Sequence, residues 1–251
     1  QENQSKFTPE IQYIRSLTEN SSLYAKAGKS FRLPELTKIF GGSVMLPSVD
    51  LKPEQGTHYE IGYKLNDNNR SWRLALYNYD IKDAIEIESG SASTGDIIYN
   101  NTDIKNTGIE LSLSVMHDDN FDSFWGISYS NPKQKSFSSN DKLGGKWIKY
   151  NNQLQFNMGV NYHKDKFASA LSANYIGLRS DGTTDGATRL KPALYTDLHF
   201  SYAPEENQKA FLHINNLLNR KDYTTNNGPD RETYGYYTTG INFMVGYEYT
   251  F

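Results

Sequence analysis

Apolar and polar residues alternate one for one along most of this chain. From Ile241 to Phe251 the odd positions are Ile241, Phe243, Val245, Tyr247, Tyr249 and Phe251. The even positions are Asn242, Met244, Gly246, Glu248 and Thr250. A β-strand sends successive side chains to opposite faces, so such a segment has one apolar face and one wet face. The same split runs through Leu154–Tyr162, Leu194–Tyr202, Ile109–Val115 and Tyr59–Leu65. Period two over so many segments excludes a helical fold and predicts antiparallel strands with only one apolar side.

Polar clusters punctuate the runs, and their lengths follow a rule. Short ones of four or five residues lie at 18–22, 66–70, 117–121, 163–166 and 204–207. Long ones lie at 32–53, 89–103, 133–150, 179–192 and 219–237. Short and long connections alternate strictly. The resulting expectation is eleven strands, at 7–17, 23–31, 54–65, 71–88, 104–116, 122–132, 151–162, 167–178, 193–203, 208–218 and 238–251.

All short turns then fall at one end of the sheet and all long loops at the other. Transmembrane β-barrels are built this way, and their tilted strands need about 9–11 residues to cross the hydrocarbon. The fold expected is an all-β, transmembrane antiparallel barrel, with the apolar flank on lipid and the polar flank on the lumen. Aromatics beside the short turns (Tyr63, Tyr162, Tyr202, Tyr247, Tyr249) suit an interfacial girdle. A soluble meander burying its apolar face is the competing architecture.

Composition prunes the functions. No apolar run approaches 18 residues, which excludes a membrane-spanning helix. Aromatics make up 14% of the chain, with 19 Tyr, unlike a disordered segment. A net charge of -3 leaves no basic footprint for nucleic acid. With no Cys there is no disulfide framework or thiolate chemistry. The five His (58, 117, 163, 199 and 213) lack the spacing of a metalloenzyme motif, so neither catalysis nor a metal site is expected. The first residues lack the basic and apolar regions of a signal peptide, as expected if one has been removed or if the chain starts partway through a longer protein. Eleven strands is an odd number for a bacterial barrel, and an unpaired edge is prohibitive in lipid. The sheet is therefore expected to be completed by another segment.

Specific residues carry a family resemblance. Ser30–Leu36 (S-F-R-L-P-E-L) resembles the F-R-A-P-x-L segment of TonB-dependent outer-membrane receptors. Val49–Glu54 (V-D-L-K-P-E) is similar to their N-P-D-L-K-P-E box, and Thr57–Gly62 to their Y-E-I-G. Tyr77–Ile85 resembles F-Y-x-x-I-K-D-x-I, and Asn101 through Glu110 the N-to-G-x-E pattern. Ile214–Tyr223 resembles the penultimate strand, and Phe243–Phe251 the terminal one. Leu33, Ser48, Val49 and Thr239 depart from the usual residues.

The resemblance implies that residues 1–251 are the C-terminal part of the barrel, about eleven strands of a 22-stranded barrel whose plug lies outside this chain. It implies active uptake of a scarce nutrient across the bacterial outer membrane, with no enzymatic step and no covalent cofactor. The cargo expected is a ferric siderophore. Haem or cobalamin is the alternative within the family, and a passive porin-like barrel the alternative outside it. The partners implied are an N-terminal plug and barrel half, the TonB–ExbB–ExbD complex acting through that plug, and outer-membrane lipid. Candidate ligand-binding residues are His58, high on the lumen face, and Trp147 beside Lys146 and Lys149. Arg231, Tyr234, Tyr236 and Tyr237 complete the set, since Arg with planar aromatics suits an anionic chelate. Asp197 and His199 lie deeper on that face, where a plug would touch them. Residues 35–48 hold no His, which weighs against haem.

Overall fold

The computed structural model describes residues 6–89, 96–137, 144–149, 154–180, 189–226 and 235–251. Eleven strands form one continuous antiparallel path. In chain order they are β1 (Glu10–Ser16), β2 (Ser21–Arg32), β3 (Glu54–Asn66), β4 (Arg70–Ser89), β5 (Ile98–Met116) and β6 (Phe121–Ser130), followed by β9 (Leu154–Lys164), β10 (Phe167–Ile176), β13 (Ala193–Glu205), β14 (Gln208–Asn215) and β17 (Asn242–Tyr249). Each strand pairs with its sequence neighbour on this path, the pattern that short turns enforce. Short strands occupy the long connections. They are β7 (Lys133–Lys135), β8 (Trp147–Lys149), β11 (Arg179–Ser180), β12 (Arg189–Leu190), β15 (Tyr223–Asn226) and β16 (Gly235–Tyr237), and one helical turn, α1 (Leu36–Phe40), lies in the first long loop. Among the described residues, no helix is long and apolar enough to cross a membrane.

The register fixes the faces. Leu111 lies opposite Leu74 and Ile127, and Leu171 opposite Val160 and Leu198. Leu76, Ile109, Leu111, Ile127, Leu171, Phe200 and Val245 are exposed, so this apolar face is not the inside of a folded core. A soluble meander would bury it. Among the described residues the buried apolar set is only Tyr24, Ala75, Ala84, Ile85, Ala173 and Ala193. The apolar face therefore needs an apolar solvent.

At the short-turn end this face is aromatic. Tyr63 packs on Trp72 at 4.8 Å between ring centroids, and Phe167 packs on Tyr202 at 4.7 Å. Tyr162, Tyr247 and Tyr249 lie exposed at the same end. Such rings have an apolar body and, in Tyr and Trp, a polar tip that suits a membrane–water boundary.

Two strands are far longer than a bilayer crossing. β4 has 20 residues and β5 has 19, about twice what a bilayer crossing requires. Ile98–Asp103, expected in a loop, extends β5 upward. A register shift between Ile81 and Ala84, with Asp83 at φ 55°, bends β4 where the projecting half begins.

Candidate ligand-passage site

The opposite face of the sheet is polar and hollowed. A cleft of about 730 Å³ runs over β4, β5, β6, β9 and β10, lined by Arg73, Glu110, Ser112, Gln155, Asn157 and Asn174. Alternation alone puts these groups on one wall, and the register aligns them in rows.

A connected polar network spans the neighbouring strands. Tyr24 donates its hydroxyl to Glu60 Oε1 at 2.6 Å. Arg73 donates to the same oxygen at 2.6 Å and to the Tyr24 hydroxyl at 3.0 Å. Its other nitrogen lies 4.0 Å from Glu110. The Tyr24 ring crosses β3 at Gly62, where any Cβ would come within 2.5 Å of it. Glycine there lets an aromatic from β2 reach a carboxylate and a guanidinium on two further strands.

Higher on the same wall, His58 lies over Gly28 and reaches 3.6 Å from Glu10. Tyr79, its register partner on β4, stacks on Tyr77 at 5.1 Å. His58 thus stands on the polar face toward the long loops, with a carboxylate beside it.

The long-loop end is clamped by the residues of the family resemblance. Arg32 pairs with Glu54, and Glu54 also accepts the Ile85 N–H at 2.9 Å. Asn101 accepts the Lys52 N–H at 2.7 Å and donates to the carbonyls of Lys52 and Asp83 at 3.0 and 2.6 Å. Burial, reinforced by the Glu54 charge, raises the Glu86 carboxyl above its ordinary value, while Lys38 and Arg32 oppose this. The first long loop leans on the β4–β5 projection through Leu46 N–H to Ile97 O at 2.9 Å and Lys38 over the Tyr99 ring.

Trp147 opposes Lys135 on β7, and the Lys105 ammonium lies 4.0 Å from its ring centroid. By register Lys105 shares the face of Ile109 and Leu111, so Trp147 sits on the outer flank of the long-loop end. Arg231 and Tyr234 lie outside the described residues. Tyr236 and Tyr237 fall in β16, whose backbone pairs with β15, and their side chains lie outside the description. The structure therefore does not bring the six candidates into one cluster among the described residues. Asp197 accepts the backbone N–H of Asn216 at 2.8 Å. Sequence reading missed the Tyr24–Glu60–Arg73 network, although the alternation had already placed Glu60 on the wet face. Only the strand register could align them.

A sheet with short turns at one end, an exposed apolar flank and a hollowed polar flank is the wall of a membrane β-barrel. The family model described as TonB dependent receptor-like, beta-barrel matches residues 1–217, and the chain belongs to that family. It is 24% identical over 231 residues to the metal-pseudopaline receptor CntO of Pseudomonas aeruginosa, covering 89% of this chain and 31% of that protein. It is 27% identical over 229 residues to the vitamin B12 transporter BtuB of Photobacterium profundum, covering 89% and 36%. The solved structure of the copper transporter OprC superposes with a TM-score of 0.77 at 16% identity, covering 96% of this chain and 39% of that one. The chain thus spans about a third of the length of these curated relatives. Proteins of this family are receptors and transporters, not enzymes.

Proposed function

We propose that this chain is the C-terminal half of the barrel of an outer-membrane receptor that takes up a ferric siderophore by TonB-driven transport. The family match over residues 1–217 carries the reading. β1 and β17 each pair on one side only among the described residues, leaving two open edges that lipid does not tolerate. A second set of strands closes the cylinder and a plug fills it. The plug links the barrel to the TonB–ExbB–ExbD complex.

The cargo reading rests on chemistry. Loop 219–237 supplies Arg231, Tyr234, Tyr236 and Tyr237, groups that suit an anionic chelate with planar faces. The similarity to a receptor for a metal chelate supports it, and the similarity to a vitamin B12 transporter supports cobalamin as the second reading.

The test is equilibrium binding of the intact receptor, in detergent, to a panel of ferric siderophores, haem and cobalamin. Binding of a ferric siderophore, weakened at least tenfold by Arg231→Ala with Tyr234→Ala, is the expected result. Binding of haem or cobalamin alone overturns the cargo, and ion conductance without any bound ligand overturns active transport.

A further inference from the structure

His199 of β13 and His213 of β14 are direct register partners. Their ring centroids stand 4.1 Å apart with planes at 79°. One strand further, Met244 of β17 is the direct partner of His213. Their sequence neighbours Phe200, Phe243 and Val245 are exposed on the apolar face, so parity puts all three on the polar wall. Directly opposed residues have Cβ atoms about 4.5–5.5 Å apart, which brings two imidazoles and a thioether within reach of one point.

The surroundings favour a ligand. Among the described residues, neither imidazole has a hydrogen-bond partner or an ion pair. The Phe211 ring stands edge-on to His213 at 5.1 Å and lies over Gly246, walling the short-turn side. On the far side of His199 the register partner is Ala170, which leaves the imidazole room to turn.

We propose that His199, His213 and Met244 form a copper-binding site halfway down the lumen wall. Imidazole nitrogen suits copper, zinc and nickel, and a thioether adds a preference for Cu(I). No carboxylate belongs to the set, which disfavours calcium and magnesium. Among the described residues no group of three His, Asp or Glu gathers, so the thioether is what completes a three-donor set. The site lies on the barrel wall whichever cargo the receptor carries, and it goes beyond the uptake reading. It was hidden in the sequence because His213 and Met244 lie 14 and 45 residues beyond His199 and meet only through two hairpins.

The experiment uses the intact receptor in detergent, titrated with Cu(II) and, separately, with Cu(I) against a chromogenic chelator. Wild type should bind one copper ion more than the His199→Gln/His213→Gln double variant. Its Cu(II) spectrum should show two coupled nitrogens at this site, falling to one in His213→Gln. Met244→Leu should weaken Cu(I) at least tenfold and leave Cu(II) within twofold. Heat-modifiable migration on gels shows that each variant is folded. Equal copper stoichiometry in folded wild type and folded double variant overturns the site, and unchanged Cu(I) affinity in Met244→Leu removes the thioether from it.

Discussion

Asn216 shows how one side chain can organise a loop. It sits just past the end of β14, buried, with φ 53°. Its amide donates to the carbonyls of Arg220 and Thr239 at 2.7 and 2.9 Å, and its oxygen accepts the Arg220 N–H at 2.8 Å. Asn tolerates the left-handed conformation and carries both donor and acceptor, a combination no apolar residue offers. Asn216→Ala leaves several part-buried backbone groups unpaired. It should lower the unfolding free energy by about 3 kcal/mol, read from urea unfolding in lipid vesicles. Asp67 does similar work in the turn between β3 and β4. It accepts the Asn69 and Arg70 N–H groups at 3.0 and 3.2 Å and the Arg70 guanidinium at 2.8 Å. The hydrogen bond from Arg70, then that from Asn69, holds its carboxyl below the ordinary value. A depressed carboxyl pKa stabilises the folded state above the unfolded value of about 4, and that stability is lost as pH falls through the folded value. Asp67→Asn should therefore lower stability between pH 6 and 8, where the hydrogen-bonded carboxylate contributes fully, and flatten its fall in the acid range.

At the scale of a strand, neighbouring residues meet different solvents. On β10, Leu171 is exposed on the apolar face between Val160 and Leu198. Three residues on, Asn174 lines the polar cleft. Leu171→Arg should cost about 2–4 kcal/mol near the middle of the bilayer and reduce assembled receptor in outer-membrane fractions. Asn174→Arg should assemble as wild type. Equal loss from both would mean that the faces are assigned wrongly. The same alternation made ten of the eleven spans visible in sequence to within a few residues. β5 was the exception, because Tyr99-Asn100-Asn101-Thr102-Asp103 reads as a polar loop. That stretch is a strand because it pairs with the upper half of β4 outside any bilayer, where polar residues cost nothing. Short strands such as β7 and β8 were invisible for a related reason. Three residues are too few to show a period.

At the scale of the molecule, the decisive feature is that the sheet does not close. Both outer strands keep an unpaired edge among the described residues, and the exposed apolar flank has no core to enter. Expressed by itself, residues 1–251 should accumulate as aggregate. Co-expression of the complementary barrel half should move it into the heat-modifiable, protease-resistant form. A monodisperse, detergent-free monomer of the chain alone would refute the barrel reading.

The sequence by itself determined the class of fold, the strand count, the two flanks and the family. The fold class, strand count and flanks follow from period two and from turn lengths, which are local quantities, and the family follows from residue motifs such as Val49–Glu54. The sequence also put His58 high on the lumen face, and it pointed to Trp147 without being able to say what that ring would face at the rim. Tertiary structure decided the rest: Tyr24 crossing Gly62 to reach Glu60 and Arg73, Asn101 tying Lys52 to Asp83, Trp147 on the outer flank beside Lys105, and His199 meeting His213. Alternation tells which side of a strand a residue takes. Only the register between strands, fixed jointly by turns, bulges and packing, tells which residue stands beside it.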